Sequence, residues 1–153
     1  HYNEKAFEKF KPTGETLFKT GVNDIINGSW DINLLLNKIG IEAARMLTDI
    51  DAGQTVVVKD ESVIALEGVE GTDKAILRGG ELAGKNCIVV KMARRHQDYR
   101  IDIPTIGLET IKKVVEINGR GIIIEADKML FIDKEEVIKF ANKNKIFIKG
   151  IKI

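Results

Sequence analysis

Residues 67–73, with the sequence EGVEGTD, form one of two segments whose residue types could do chemistry. The glycines allow the backbone to approach a ligand closely, and a helix that begins here would offer free amides to a phosphate. The carboxylates are suited to hold a hydrated divalent cation. A turn that ends in a helix cap at Thr72 or Asp73 would explain the same residues without a ligand. The segment is not a P-loop, because the GxxxxGK[ST] spacing is absent.

The second segment, residues 91–105, begins with a basic cluster. Between Lys91 and Arg100, four basic residues stand against the single acid Asp98, so the local charge is +3. Arginine side chains such as Arg94 and Arg95 are suited to bind phosphate in bidentate geometry. A solvated flexible loop would have the same composition, so both interpretations stay open.

Asp102 follows the basic cluster and is itself followed by Pro104 and Thr105. A carboxylate beside a rigid proline turn and a helix start is well placed to act as a general base or as a metal ligand. A simple cap for the following helix is the alternative. The sequence therefore makes Asp102 a candidate for chemistry without assigning its role.

Other reactive residue types are scarce. The chain has one cysteine and two histidines, which excludes an internal disulfide and a zinc site built from Cys and His. Cys87 lies in an apolar run and is expected in the core, whereas His96 is expected to be exposed and inert. No GxSxG nucleophile motif occurs.

Charge and hydropathy limit the classes of partner. With 24 Lys and Arg against 23 Asp and Glu, the net charge is +1, which argues against a globally basic nucleic-acid binder. RNA binding through residues 91–100 is the weakest hypothesis, because no aromatic platform accompanies the cluster. No apolar run approaches the roughly 20 residues of a membrane-spanning helix. No signal peptide is recognisable, so a cytoplasmic chain is expected.

The chain must also supply a scaffold for these segments. Its 153 residues, 44% of them hydrophobic, suffice for one globular domain with a core. Helical periodicity follows Asp31 and stops at Gly53, and a weaker helical pattern includes Ala75, Ile76 and Leu82. Apolar runs predict strands over residues 54–58, 62–66, 87–90, 121–125, 129–132 and 146–151. This alternation predicts a single α/β domain with a mixed sheet and packed helices.

Polar residues before the later helices predict where these helices begin. Thr105 is a candidate cap for a helix that ends at Asn118, and Asp133 with Glu136 forms a capping box for the next helix. Residues 1–30 show no sustained period and are interpreted as a tail or as the end of something missing. The chain begins with His1 instead of a methionine, as expected of a fragment or a processed chain.

Five short motifs occur in order along the chain: DIDAGQ at 49–54, EGVEGTD at 67–73, VK at 90–91, RIDIPTIG at 100–107 and GIIIEA at 121–126. Together they resemble the C-terminal domain of the LpxI-type UDP-2,3-diacylglucosamine pyrophosphatases of lipid A biosynthesis. The resemblance runs from about Asp31 to the C-terminus. The ordered set is more specific than any one of its motifs.

The resemblance implies a Mg²⁺-dependent hydrolase that splits UDP-2,3-diacylglucosamine into UMP and 2,3-diacylglucosamine 1-phosphate (lipid X). Family enzymes have two domains that hold the lipid substrate between them. Residues 1–30 would then be a linker or the remnant of a missing N-terminal half, and residues 31–153 the C-terminal α/β catalytic-type domain. The lipid substrate would bring a cytoplasmic enzyme to the inner-membrane surface. Apolar surface left uncovered by the missing half would favour a homo-oligomer.

The family's catalytic aspartate, within an Asp-Leu-Pro-Thr-Ile-Gly-like motif, falls on Asp102, with Ile103 in place of leucine. Asp102 would be the general base or a Mg²⁺ ligand. Supporting roles are hypotheses: metal or sugar contacts for Glu70 and Asp73, and substrate or phosphate contacts for Gly71, Thr72, Lys91, Arg100 and Thr105. A non-catalytic phosphosugar- or nucleotide-binding module that uses the same loops is the alternative function.

Overall fold

A computed structural model describes residues 38–96, 98, 100 and 103–152. The tail of residues 1–30, the expected cap Asp31 and the candidate catalytic residue Asp102 lie outside the described residues. The described helices are α1 (Lys38–Asp49), α2 (Thr72–Ala83), α3 (Leu108–Glu116) and α4 (Lys134–Lys143). The described strands are β1 (Thr55–Lys59), β2 (Ser62–Leu66), β3 (Ile88–Lys91), β4 (Thr105–Ile106), β5 (Gly121–Glu125), β6 (Leu130–Phe131) and β7 (Phe147–Ile151).

Five strands form a mixed sheet in the order β2-β1-β3-β5-β7. β1 pairs antiparallel with β2 and β3, whereas the β3–β5 and β5–β7 pairs are parallel. Four strands therefore run in one direction and β1 runs in the other. Their carboxyl ends share one edge of the sheet with the start of β1, and we call this the carboxyl edge. It is marked by Leu66, Thr55, Lys91, Glu125 and Ile151.

Helices cover both faces of the sheet. On one face, Ala44 and Leu47 of α1 pack on a cluster that includes Val56, Val90 and Ile123. On the other face, α2, α3 and α4 contribute to a larger cluster with the alternate strand residues. Because both faces are covered, Val56, Val57 and Val58 are all buried, as the continuous apolar runs predict. The predicted α/β fold with a mixed sheet and packed helices is confirmed.

A second, two-stranded sheet holds the segment that contains Thr105. β4 pairs parallel with β6, with Thr105 opposite Leu130. Leu130 donates its amide to the Pro104 carbonyl at 2.8 Å, and Ile132 donates to the Ile106 carbonyl at 2.9 Å. The loop after Asp102 is therefore fixed by backbone hydrogen bonds. None of the described helices combines the length and the apolar character needed to cross a membrane.

Several local predictions about helix ends and faces are wrong. α1 ends at Asp49 and does not continue to Gly53, because Asp51 adopts a left-handed conformation with φ 57°. Thr105 lies in β4, and Gly107 is the N-cap of α3. Leu82 is 65% exposed, since α2 packs through a different side.

The predicted capping box at Asp133 is also wrong. Asp133 is the N-cap of α4, but its φ of 48° and ψ of 49° are left-handed, and its side chain makes no capping hydrogen bond. A capping side chain reaches the first-turn amides from an extended backbone, so this conformation directs the carboxylate elsewhere. The sequence pattern identifies the start of the helix correctly and its capping interaction incorrectly.

Glycine brings α2 close to the sheet. Gly79 is buried, and a Cβ atom placed on it would lie 2.6 Å from Val57 Cβ. Gly80, also buried, would meet Ile117 Cγ2 at 2.3 Å in the same way. No larger side chain fits at either position without moving α2. Gly79 therefore sets the distance between α2 and the sheet, and Gly80 sets the distance between α2 and Ile117 at the end of α3.

Replacing Gly79 with alanine should lower the free energy of unfolding by about 1–3 kcal/mol, the usual cost of overpacking a core. The helix propensity gained, about 1 kcal/mol, would not offset the contact with Val57. Urea denaturation would measure the change, with Glu81→Ala at an exposed position of α2 as the control. A Gly79→Ala protein as stable as the control would contradict the close approach.

Candidate functional site

The carboxyl edge brings the two segments singled out in the sequence to one side of the sheet. Residues 67–73, the acidic segment, follow β2. Residues 91–100, the basic segment, begin with the last residue of β3, and β1 lies between these two strands. Thr55 connects the two segments. Its carbonyl accepts the Glu67 backbone amide at 2.8 Å, and in the antiparallel pair of β1 and β3 it lies opposite Lys91. Ligands of open α/β sheets bind outside this edge, where loops diverge from the strand ends.

A hydroxyl and carboxylate network holds the acidic glycine-rich segment. The Glu67 carboxylate accepts the Gln54 amide at 3.2 Å and the Thr72 hydroxyl at 3.2 Å. The Thr55 and Thr72 hydroxyl oxygens are 3.2 Å apart. Since Thr72 donates to Glu67, Thr55 is the donor in this second contact. Thr72 therefore fastens the start of α2 to β1 and to Glu67, just after β2, and does not cap the helix.

Gly71, predicted to offer its amide to a phosphate, is the N-cap of α2 with φ 84°. That amide donates to the Gly68 carbonyl at 3.3 Å, while the first backbone bond of the helix runs from Ala75 to Gly71 at 3.1 Å. The amides of the first turn come before this bond and point out of the N-terminal end of the helix, where a bound anion is stabilised. No atom lies within 4 Å of a Cβ placed on Gly71, so the backbone is open to a ligand here.

Glu70 is engaged by a neighbour on α2. Its Oε1 is 2.5 Å from the Arg78 guanidinium, and its Oε2 accepts the Gly68 amide at 3.0 Å. The hydrogen bond from Arg78 lowers the pKa of Glu70 below its ordinary value, with the backbone hydrogen bonds contributing. Asp73 is exposed in the first turn of α2. The metal or sugar contacts of these two carboxylates stay predictions.

A buried lysine lies at the end of β3. Lys91 is 8% exposed, and its Nζ donates to the Thr105 carbonyl at 3.2 Å. The Thr105 hydroxyl donates to the Ile103 carbonyl at 2.7 Å. The structure thus brings together Lys91 and Thr105, two of the predicted substrate-binding residues. A cation held in so little water acts strongly on a nearby anion.

Most charges of the basic segment have acidic neighbours. Arg94 lies 3.1 Å from Asp51 and Arg95 lies 2.7 Å from Asp49, which connects this segment to the end of α1. His96 is exposed, as predicted. These ion pairs hold the basic segment against α1, so that it follows a defined path as it leaves β3.

Arg100 forms a bidentate pair with Asp98. Its Nε and one terminal nitrogen donate to the Asp98 carboxylate at 2.9 and 2.8 Å, and its amide donates at 3.0 Å. These hydrogen bonds lower the pKa of Asp98 to about 2, and the bond from the guanidinium contributes more than the bond from the backbone amide. Asp98 therefore stays ionised at every physiological pH. A phosphate that recruits Arg100 has to compete with this carboxylate.

Sequence reasoning missed a buried carboxylate at the same edge. Glu125, the last residue of β5, is 1% exposed, and its Oε2 accepts the Ala93 amide at 3.2 Å. Its Oε1 lies 3.4 Å from Arg45 and 2.9 Å from Lys128. The available signal was an acidic residue that directly ends a run of four glycine and isoleucine residues, GIII. Glu67 was also missed as a structural anchor, because its bond to the Gln54 backbone amide joins residues 13 apart in the sequence.

Two buried polar atoms near this edge, Gln54 Oε1 and Arg94 Nε, lack a hydrogen-bond partner among the described residues. Buried polar groups are normally satisfied, so a water molecule or a bound ligand is expected to complete them. Gln54 also accepts the Met92 amide through its backbone carbonyl at 2.9 Å, which places it beside the start of the basic segment.

The described residues do not assemble a metal site on their own. Within this part of the chain, no group of three or more His, Cys, Asp or Glu side chains lies close enough to hold a metal ion. Asp102, one of the two predicted ligands, lies outside the described residues, and Asp73, the other, is exposed on α2. The predicted Mg²⁺ site therefore stays a prediction.

Comparison with known proteins identifies one family. The LpxI C-terminal domain matches residues 33–149, a range that contains both segments and Asp102. A protein of Caulobacter vibrioides named UDP-2,3-diacylglucosamine pyrophosphatase LpxI is 32% identical over 119 residues, which cover 72% of this chain. The chain spans 42% of the length of that relative.

Replacing Arg100 with glutamine should raise the pKa of Asp98 from about 2 toward the ordinary aspartate value of about 3.9. The bidentate guanidinium pair is the main cause of the depression, so its loss should shift the carboxyl titration upward. NMR titration of the Asp98 carboxyl carbon would measure the shift. Arg78→Gln is the matched control, because it should raise the pKa of Glu70 and leave Asp98 unchanged. An Asp98 pKa that stays near 2 in the Arg100 variant would refute this assignment.

Proposed function

The chain belongs to the LpxI C-terminal domain family, and we propose that its carboxyl edge forms part of the active site of a UDP-2,3-diacylglucosamine pyrophosphatase. The products would be UMP and 2,3-diacylglucosamine 1-phosphate. One observation carries the proposal. The buried Lys91 bonds to Thr105, three residues after Asp102 in the sequence, within the motif that the family resemblance associates with catalysis.

The residues at this edge suit the charge changes of the reaction. Water attacks one phosphorus of the pyrophosphate, the bond to the bridging oxygen breaks, and two phosphate monoesters and a proton leave. Lys91 would neutralise charge on the phosphates from a site of low dielectric constant. The first-turn amides of α2 would donate to phosphate oxygens at the positive end of the helix. Thr72 would join them by exchanging its hydroxyl bond to Glu67 for a bond to a phosphate.

Asp102, which the resemblance associates with catalysis, would take the proton from the attacking water as a general base or would hold Mg²⁺ as a ligand. Arg100 would exchange its bond to Asp98 for a bond to a phosphate when substrate binds. Thr105 would orient the substrate, and Glu70 with Asp73 would contact its sugar. Asp102 has the strongest support among these residues, because it alone falls on the residue that the resemblance associates with catalysis.

The cellular setting is part of the same proposal. The named relative is longer than this chain, so the N-terminal domain implied by the resemblance would complete the substrate site. The enzyme would act in the cytoplasm, where its diacyl substrate brings it to the surface of the inner membrane. Exposed apolar side chains on and just after α1, Met46 and Ile50, would support self-association when the other domain is missing.

Substituting Asp102 with alanine in the full-length protein should abolish most UMP release and preserve binding of UDP-2,3-diacylglucosamine, since a base is lost and the phosphate-binding cations remain. A loss of 10²–10⁴-fold is on the order expected for general base catalysis. UMP release and equilibrium binding would be measured on the same preparation. Glu135→Ala, at an exposed position of α4, is the control.

The outcomes of this assay separate the hypotheses. Turnover near the control rate would refute the role of Asp102. If the unaltered protein binds the substrate saturably but releases no UMP, the chain is a phosphosugar- or nucleotide-binding module and not part of an enzyme. Steeply salt-dependent affinity for RNA, in the absence of UMP release, would favour nucleic-acid binding through the basic segment.

Magnesium dependence is a separate prediction. Removal of divalent cations with EDTA should abolish UMP release by the full-length protein, and added Mg²⁺ should restore it, because the resemblance implies a Mg²⁺-dependent hydrolase. Asp102 and Asp73 are the predicted ligands. Turnover that continues unchanged in EDTA would contradict the metal requirement and leave the proposed substrate in place.

A further inference from the structure

Glu125 is a buried charged group to which the proposed reaction gives no role. We propose that Glu125 is a positioning residue, which sets the path of the basic segment through the Ala93 amide and so aligns the phosphate-binding cations. The inference rests on the proposed function for its consequences for UDP binding and KM, whereas the contact between Glu125 and the Ala93 amide is independent of that function. The contacts that carry it are made within the described residues.

The two carboxylate oxygens of Glu125 join three parts of the chain. Oε2 accepts the backbone amide of Ala93 at 3.2 Å, and Ala93 lies two residues after Lys91 in the sequence. Oε1 lies within ion-pair distance of Arg45 on α1 and of Lys128 in the turn after β5. A single side chain therefore ties the start of the basic segment to a helix and to a neighbouring strand end.

Glu125 and Lys91 lie on opposite faces of the sheet. Glu125 follows Ile123 by two residues, and Ile123 belongs to the core cluster beneath α1. Lys91 follows Val89 by two residues, and Val89 belongs to the cluster on the other face. Since side chains alternate along a strand, Glu125 acts from the face opposite Lys91. It therefore contributes to binding through the backbone at Ala93.

The contacts of the following residues extend this anchoring. Arg94 pairs with Asp51 and Arg95 pairs with Asp49, both near the end of α1. Arg45, on the same helix, contacts Glu125. Three successive residues of the basic segment are thus fixed to Glu125, to the end of α1 or to the turn that follows α1. A change at Glu125 would release the first of these attachments.

Stability alone explains the buried carboxylate poorly. Taking a carboxylate out of water is costly, and buried ion pairs can often be replaced by apolar residues without loss of stability. A hydrogen bond from a fixed backbone amide to a carboxylate, by contrast, depends on the length and direction of the side chain. Glu125 has the reach to hold Ala93, and aspartate, one methylene shorter, does not.

Two conservative variants in the full-length protein separate reach from charge. Glu125→Asp keeps the charge and loses the contact with Ala93, whereas Glu125→Gln keeps an oxygen that can accept the same amide. We expect Glu125→Asp to weaken UDP binding and to raise the KM for the lipid substrate by about tenfold, the scale of one hydrogen bond to a charged group. Glu125→Gln should stay within about threefold of the parent protein in both measurements.

The amide resonance of Ala93 reports the hydrogen bond to Glu125 directly, and UDP affinity compared with stability separates positioning from a merely structural role. The Ala93 amide proton chemical shift should change in Glu125→Asp and move less in Glu125→Gln, while thermal denaturation identifies any general loss of stability. Arg45→Met is the matched control, because it removes an ion-pair partner and leaves the Ala93 contact in place. It should lower stability and leave UDP affinity unchanged.

Equal changes in UDP affinity for the aspartate and glutamine variants, or changes that follow stability in all three proteins, would overturn the positioning role. An unmoved Ala93 amide in Glu125→Asp would also overturn it. UDP affinity and the Ala93 resonance need no turnover, so they test this inference independently. Absence of UMP release from the parent protein would count against the proposed function alone.

Discussion

The reversed direction of β1 is the constraint on which the described arrangement depends. Because the other four strands of the sheet run in the opposite direction, the start of β1 lies among their carboxyl ends. Thr55 consequently contacts Thr72 on one side and pairs with Lys91 on the other. A β1 strand parallel to its neighbours would place Thr55 at the opposite edge. The acidic and basic segments would then lose their common support, together with the backbone bond that holds Glu67.

The same edge explains how a chain with a net charge of +1 can concentrate charge locally. Acidic residues lie against most of the basic ones, so the edge is held by ion pairs instead of being uniformly positive. Glu125 and Lys91 are the buried members of this set, whereas the Asp98–Arg100 pair is exposed. Buried charges keep a fixed position when salt or ligand changes, and exposed pairs exchange partners at little cost. A phosphate would therefore meet a fixed lysine and an arginine that can be recruited.

The sequence predicts the strands of this fold well, because valine and isoleucine runs depend on local burial. It also singles out both segments that meet at the carboxyl edge, since glycine, acid and arginine clusters are local patterns. It fails where a residue's partner is distant in sequence. The Thr72 hydroxyl contacts Thr55, 17 residues away, and Glu125 bonds to Ala93, 32 residues away, contacts that exist only after the strands pair. Asp133 fails for a different reason, because its left-handed backbone is set by the turn after β6 and not by its residue type.

The central claim is that substrate binds at the carboxyl edge of the sheet. Adding UDP to the isotopically labelled full-length protein and recording amide chemical shifts tests it directly. Perturbations should concentrate at the first turn of α2, at residues 91–95 and around Thr105. The turns at Asp60, Asn86 and Asn118, which lie at the opposite ends of the strands, should stay unchanged. Shifts confined to those turns, with none at the carboxyl edge, would contradict the account.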